Sequence, residues 1–164
     1  MTALMAICAW ITVPFAIPFT LQSFAVFLSL LLLGGRNSFI CFSVYIVLGA
    51  VGVPVFSSFG AGVGVLSGAT GGFIFGFLFS AAVYSLVIFI RKDTEKARLA
   101  GCLFAMAAYH LCGAVWYMML YMEKSNDIIS IPMTCTIPFV IPDIIKLILA
   151  YTVFLKLKKA VGIK

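Results

Sequence analysis

The chain has 164 residues, 64% of them hydrophobic and only 10% charged, with a mean hydropathy of +1.22. That excludes an ordinary soluble domain and points to an all-α, polytopic membrane protein organised as a single integral membrane domain over residues 1–164. A net charge of +6 could suit a nucleic-acid surface in a soluble protein; in a membrane chain it reports basic cytoplasmic loops, and no nucleic-acid partner is expected.

Proline, glycine and charge divide the sequence into six apolar segments, roughly 2–17, 20–33, 38–53, 71–90, 97–121 and 139–157. The first lacks a basic leader and an Ala-x-Ala exit, so targeting is expected to rest on the first helix itself. Thr2, Ala6 and Ala9 form a small-residue stripe on it, a candidate surface for docking a second transmembrane protein, although alanine content alone also produces such a stripe. The first loop, Val13-Pro14-Phe15-Ala16-Ile17-Pro18-Phe19-Thr20-Leu21-Gln22, ends in an amide. Gln22 either serves a polar solute site or caps the second helix.

A full crossing needs about 20 residues, which the last three segments supply and the first three do not. Segments one to three are expected to end in partly helical backbone, tolerated at membrane depth only against protein or a water-filled cavity. The connection after segment three, from Gly52 to Phe73, is rich in glycine yet apolar. Its glycines allow backbone to approach a ligand closely, or serve close helix packing. In the fifth segment, His110 is the only histidine and has no carboxylate nearby in sequence, so it reads as a satisfied buried histidine rather than a proton relay. Trp116, Tyr117 and Tyr121 read as an interfacial aromatic belt or as a cavity wall.

The sixth segment carries Asp143 and Lys146 three residues apart, hence on one helical face, in otherwise greasy surroundings. Ionisable groups in hydrocarbon cost roughly 2.5–3.5 kcal/mol each on insertion scales and mark solute sites, or else form a salt bridge that pins two helices. With six crossings, nine Lys and Arg (Arg36, Arg91, Lys92, Lys96, Arg98, Lys156, Lys158, Lys159 and Lys164) share one side, and Lys124 stands on the other. Both termini are therefore expected in the cytoplasm of a plasma-membrane protein, with Asp143 and Lys146 near the outer face. Five scattered cysteines (8, 41, 102, 112 and 135) show no CxxC pairing. No metal cluster, nucleophile set or nucleotide motif appears, so neither a metal nor an enzymatic role is expected, and concentrative transport would need an ATPase on a partner.

Four stretches in order carry a family resemblance: Ile17-Pro18-Phe19-Thr20-Leu21-Gln22; Leu48-Gly49-Ala50-Val51-Gly52-Val53-Pro54-Val55-Phe56; Leu66-Ser67-Gly68-Ala69-Thr70-Gly71-Gly72-Phe73; and Pro138-Phe139-Val140-Ile141-Pro142-Asp143-Ile144-Ile145-Lys146. Gly113-Ala114-Val115-Trp116 is a weaker fifth. Together they resemble the BioY family, the biotin-binding S-components of energy-coupling factor (ECF) transporters. The resemblance implies a six-helix S-component-like bundle with irregular outer loops, no cofactor, and biotin held beneath those loops. It also implies docking on a membrane-embedded coupling protein driven by two cytoplasmic ATPase subunits. The family's helix-six Asp and Lys carry over onto Asp143 and Lys146, its loop-one Gln onto Gln22, and its glycine motif onto Gly68, Thr70, Gly71 and Gly72. Phe56, Phe59 and Trp116 would cover the biotin bicycle. The chain departs from the family pattern at Gly60, Ala69, Phe73 and Pro142, and at Ile74, where some members carry an Arg. The alternatives are an S-component for another small vitamin or an intramembrane enzyme or assembly factor.

Overall fold

The structure, a computed structural model, describes residues 1–13, 19–121 and 137–161. Helix α1 runs Thr2–Trp10, and a short antiparallel ribbon pairs β1 (Thr12–Val13) with β2 (Phe19–Thr20). Helix α2 follows over Gln22–Ala50, then a 3-10 turn at Ser57–Phe59 and a single-turn helix α3 at Val63–Leu66. Three long helices complete the described chain: α4 (Gly71–Arg91), α5 (Glu95–Tyr121) and α6 (Ile137–Val161). Pro14, Pro18, Lys124 and Cys135, all noted in the sequence, lie outside the described residues.

Helix α2 is not one rod. Gly34 has φ 75° and ψ 171°, a conformation essentially confined to glycine, and it breaks the helix. Beyond the break the chain folds back. Leu21 N donates to Ile11 O at 3.1 Å and Trp10 Nε1 to Pro54 O at 2.8 Å, so the residues flanking both ends of α2 meet the end of α1, whereas a straight helix of this length would hold them roughly 40 Å apart. The apolar segments 20–33 and 38–53 are thus two antiparallel rods, 22–33 and 35–50, each shorter than a full crossing. Among the described residues, three helices are long and apolar enough to cross a membrane by length and composition, namely Gln22–Ala50 taken whole, Gly71–Arg91 and Glu95–Leu120.

Helix α6 turns its first two ionisable residues into the bundle and large aliphatic ones outward. On α6, Ile145 and Ile148 are each 62% exposed while Asp143, Lys146, Leu147 and Ala150 are buried. Lipid solvates the isoleucines, so the polar residues face inward. Helix α4 packs most extensively on α5 and then on α2, and α6 packs on α2. Close approach of α4 to α5 comes from Gly72, Gly76 and Ser80, one turn apart on α4. A Cβ on Gly76 would come 2.9 Å from Tyr109 Cα. Ser80 Oγ lies 2.9 Å from the carbonyl of Ala105 on α5, as well as from that of Gly76. This is the small-residue interface that membrane helices use in place of a hydrophobic driving force.

The stripe on α1 has a different role from the one its sequence suggests. Ala6 and Ala9 are buried, and Thr2 Oγ1 donates to Cys41 O at 3.4 Å. Thr2, Ala6 and Ala9 therefore pack α1 onto α2 within the chain, and the face they form is not free to dock a partner. The outward face of α1 carries Ala3, Ile7 and Trp10 instead. At the opposite end from the β ribbon, Lys158 Nζ sits 3.1 Å from Glu95 Oε1, so the basic end of α6 meets the start of α5.

Candidate functional site

The middle of α5 and the first turns of α2, α4 and α6 converge on one cavity of ≈ 70 Å³. Its floor is an ionic network built from three helices. Asp143 is 4% exposed and Lys146 6%. Asp143 Oδ1 accepts from Ser23 Oγ at 2.7 Å and from Lys146 Nζ at 2.8 Å. Oδ2 accepts from the Tyr109 hydroxyl. The Lys146 ammonium has three protons and three acceptors: Asp143 Oδ1, Ser23 Oγ at 3.0 Å and the Thr20 carbonyl at 2.7 Å. It also lies 3.8 Å from the centroid of Phe19. Neither charge lacks a partner, which a pair at membrane depth requires.

Local sequence explains the convergence. Pro142 precedes Asp143 inside α6 and removes one backbone donor from that turn. Spacing of three stacks Lys146 one turn beyond Asp143. Ser23 sits at the start of α2, directly after the ribbon that presents the Thr20 carbonyl.

Two buried polar atoms on residues that line the cavity have no hydrogen-bond partner among the described residues: Gln22 Nε2 and His110 Nε2. Gln22 is 7% exposed and His110 4%. His110 Nδ1 is 3.0 Å from Met106 O, and its ring stands edge-on to Phe73 at 6.3 Å and tilted on Tyr109 at 4.4 Å. Phe19 and Phe139 stack at 6.0 Å across another wall. Buried orphan groups are uncommon in folded proteins. Here they border an apolar pocket, the usual composition of a small-ligand site.

Of the residues that the sequence singles out, Gln22, Thr70, Asp143 and Lys146 line the cavity, and the others stand behind it. Phe56 is buried edge-on against Tyr45 at 5.5 Å. Phe59 is 62% exposed and stacks on Trp10 at 4.9 Å. Trp116 Nε1 donates to the Gly68 carbonyl at 3.0 Å, and Gly72 lies against the Trp116 side chain. Gly71 abuts the Leu66 carbonyl. The glycine motif thus lets the loop lie flat on α5 and positions Thr70 rather than touching the cavity itself. Ser23, Ser57, Tyr109 and His110 also line the cavity, although the sequence does not select them as site residues. The logic that selects Asp143, a polar group in hydrocarbon, applies equally to Tyr109 and His110. The expectation of a satisfied buried histidine holds at Nδ1 and fails at Nε2, which faces the Asp143 carboxylate at 3.6 Å.

Comparison with known proteins fits this geometry. The BioY family model matches residues 1–163. The chain belongs to the BioY family. It is 38% identical over 159 residues to the biotin transporter BioY of Thermotoga maritima, covering 96% of this chain and 91% of that protein. It is 32% identical to the biotin transporter BioY2 of Lactococcus lactis, covering 93% and 82%. Its fold matches a crystal structure of the S-component for biotin from an ECF-type ABC transporter with a TM-score of 0.82. That match has 23% identity and covers 96% of this chain and 86% of that one. Membership of this family makes the chain an all-α membrane protein with the S-component fold.

Proposed function

We propose that the chain binds biotin in this cavity as the S-component of an ECF-type uptake transporter, a binding subunit and not an enzyme. The observation that carries the reading is the cavity's chemistry. An apolar, aromatic wall meets a neutral Asp143–Lys146 pair and two unpaired polar groups, Gln22 and His110. Biotin offers the complement: an apolar bicycle, a ureido group with two N–H donors and a carbonyl, and a carboxylate tail. The names of the Thermotoga and Lactococcus relatives support the ligand assignment. Gln22, Thr70, Asp143 and Lys146 are the proposed contacts or their immediate support; Phe56, Gly68, Gly71, Gly72 and Trp116 back the walls, and Phe59, stacked on Trp10, stands outside them.

Energy would come from a membrane-embedded coupling protein and two ATPase subunits. The chain would sit in the plasma membrane as one domain with six membrane-inserted rods and both termini in the cytoplasm. The bias of nine Lys and Arg to one side supports that orientation. A second reading, an S-component for another small vitamin, is favoured by Ile74. It lines the cavity where some family members carry an arginine, leaving that wall without a cation.

Equilibrium binding of labelled biotin to detergent-purified protein tests the proposal. Saturable binding that excess unlabelled biotin displaces, with the ligand recovered unchanged, is expected. Preference for a different vitamin would establish the second reading, and product formation would overturn both.

A further inference from the structure

We propose that His110 reads the ligand: its Nε2 accepts a hydrogen bond from a ureido N–H and so fixes the bicyclic end of biotin against α5. The inference rests on the biotin reading above and adds an orientation to it.

The tautomer follows from the partners. A carbonyl oxygen only accepts, so the Nδ1 that lies 3.0 Å from Met106 O carries a proton. The charge follows from the surroundings. Asp143 and Lys146 already cancel, and a second cation on a side chain 4% exposed would leave a net positive charge in the membrane interior. The imidazole is therefore neutral, and Nε2 is a bare lone pair.

That lone pair has no donor among the described residues. Asp143 Oδ2, 3.6 Å away, is itself an acceptor and already holds the Tyr109 hydroxyl proton. Lys146 commits all three protons to Thr20, Ser23 and Asp143. Nε2 itself is buried, and the cavity that His110 lines is where a donor would enter. In biotin the only N–H groups are the two of the ureido ring, and an ionised tail has no proton to give. The ureido end must then lie beside His110. The orphan Gln22 Nε2 is a donor and complements a ligand oxygen.

The chain contains one histidine, so ring-15N-histidine labelling of tag-free protein gives a single pair of ring signals. Without ligand, Nδ1 should be protonated and Nε2 unprotonated. Saturating biotin should move Nε2 upfield, the direction of an accepted hydrogen bond, without protonating it. His110→Phe should weaken biotin binding roughly 10- to 100-fold, and His110→Gln, whose Oε1 accepts, should recover part of the loss. An Nε2 signal that saturating biotin leaves unmoved, a protonated Nε2, or wild-type affinity in His110→Phe would overturn the assignment while leaving biotin binding intact. Failure of the wild type to bind biotin would overturn the functional reading and this one with it.

Discussion

The Asp143–Lys146 pair allows its structural and ligand-binding roles to be separated by a mutant cycle. Lys146→Met keeps most of the volume and removes the charge, leaving Asp143 ionised, 4% exposed, with only Ser23 and Tyr109 as donors. Breaking a buried pair from one side costs about 3–5 kcal/mol because the remaining charge is uncompensated. Against a typical total of about 5–15 kcal/mol, that is a large fraction of the fold's stability. Asp143→Asn alone strands the ammonium in the same way. The double variant removes both charges, and its stability should return to within about 1–2 kcal/mol of wild type. Binding should not return with it. If either group supports the ligand, loss of a hydrogen bond to a charged group costs about 1.5–3 kcal/mol, roughly a 10- to 150-fold rise in Kd. Thermal unfolding in detergent and biotin titration, run on all four proteins, read the two quantities independently. A double variant that recovers both stability and wild-type affinity refutes the ligand role and leaves the pair as a pin between α2 and α6.

Two further outcomes test the packing and the orientation. Ala6→Trp places an indole where α1 meets α2, so it should lower thermal stability by about 1–3 kcal/mol; unchanged stability would show that α1 does not pack as described. Single cysteines replacing Ser58 and Lys96, in a background free of the native five, should label from opposite sides of intact cells. An impermeant maleimide should reach residue 58 and spare residue 96, and the reverse pattern would invert the topology.

What is legible in the sequence follows from local physics. Hydropathy marks the rods because lipid solvates their outer faces, and a spacing of three puts Asp143 and Lys146 on one face by helical geometry alone. Gly34 is hidden because a Gly-Gly pair beside Arg36 reads as a simple boundary between spans; only its positive φ and the meeting of both ends of α2 at the end of α1 show the reversal within one helical run. The Thr2, Ala6, Ala9 stripe reads as a close-packing surface and is one, but periodicity does not say which neighbour it meets. The Gly72, Gly76, Ser80 stripe on α4 has the same pattern and carries a more extensive helix contact. His110 and Tyr109 escape selection as site residues because their carboxylate lies more than 30 positions away and only tertiary packing delivers it.

The reversal at Gly34 also bears on how the chain enters the bilayer during synthesis. Residues 22–33 and 35–50 are each too short to bridge the hydrocarbon alone. Inserted singly, each rod would leave unsatisfied backbone groups of its end in lipid. Inserted as a preformed pair, they shield one another, and Gly35 nests against Ser85 and Ala81 of α4 once that helix arrives. The partition decision would therefore fall on a two-rod unit rather than on a single span, and a bulky residue at Gly35 would be felt when α4 arrives, as failed seating of that helix on the pair.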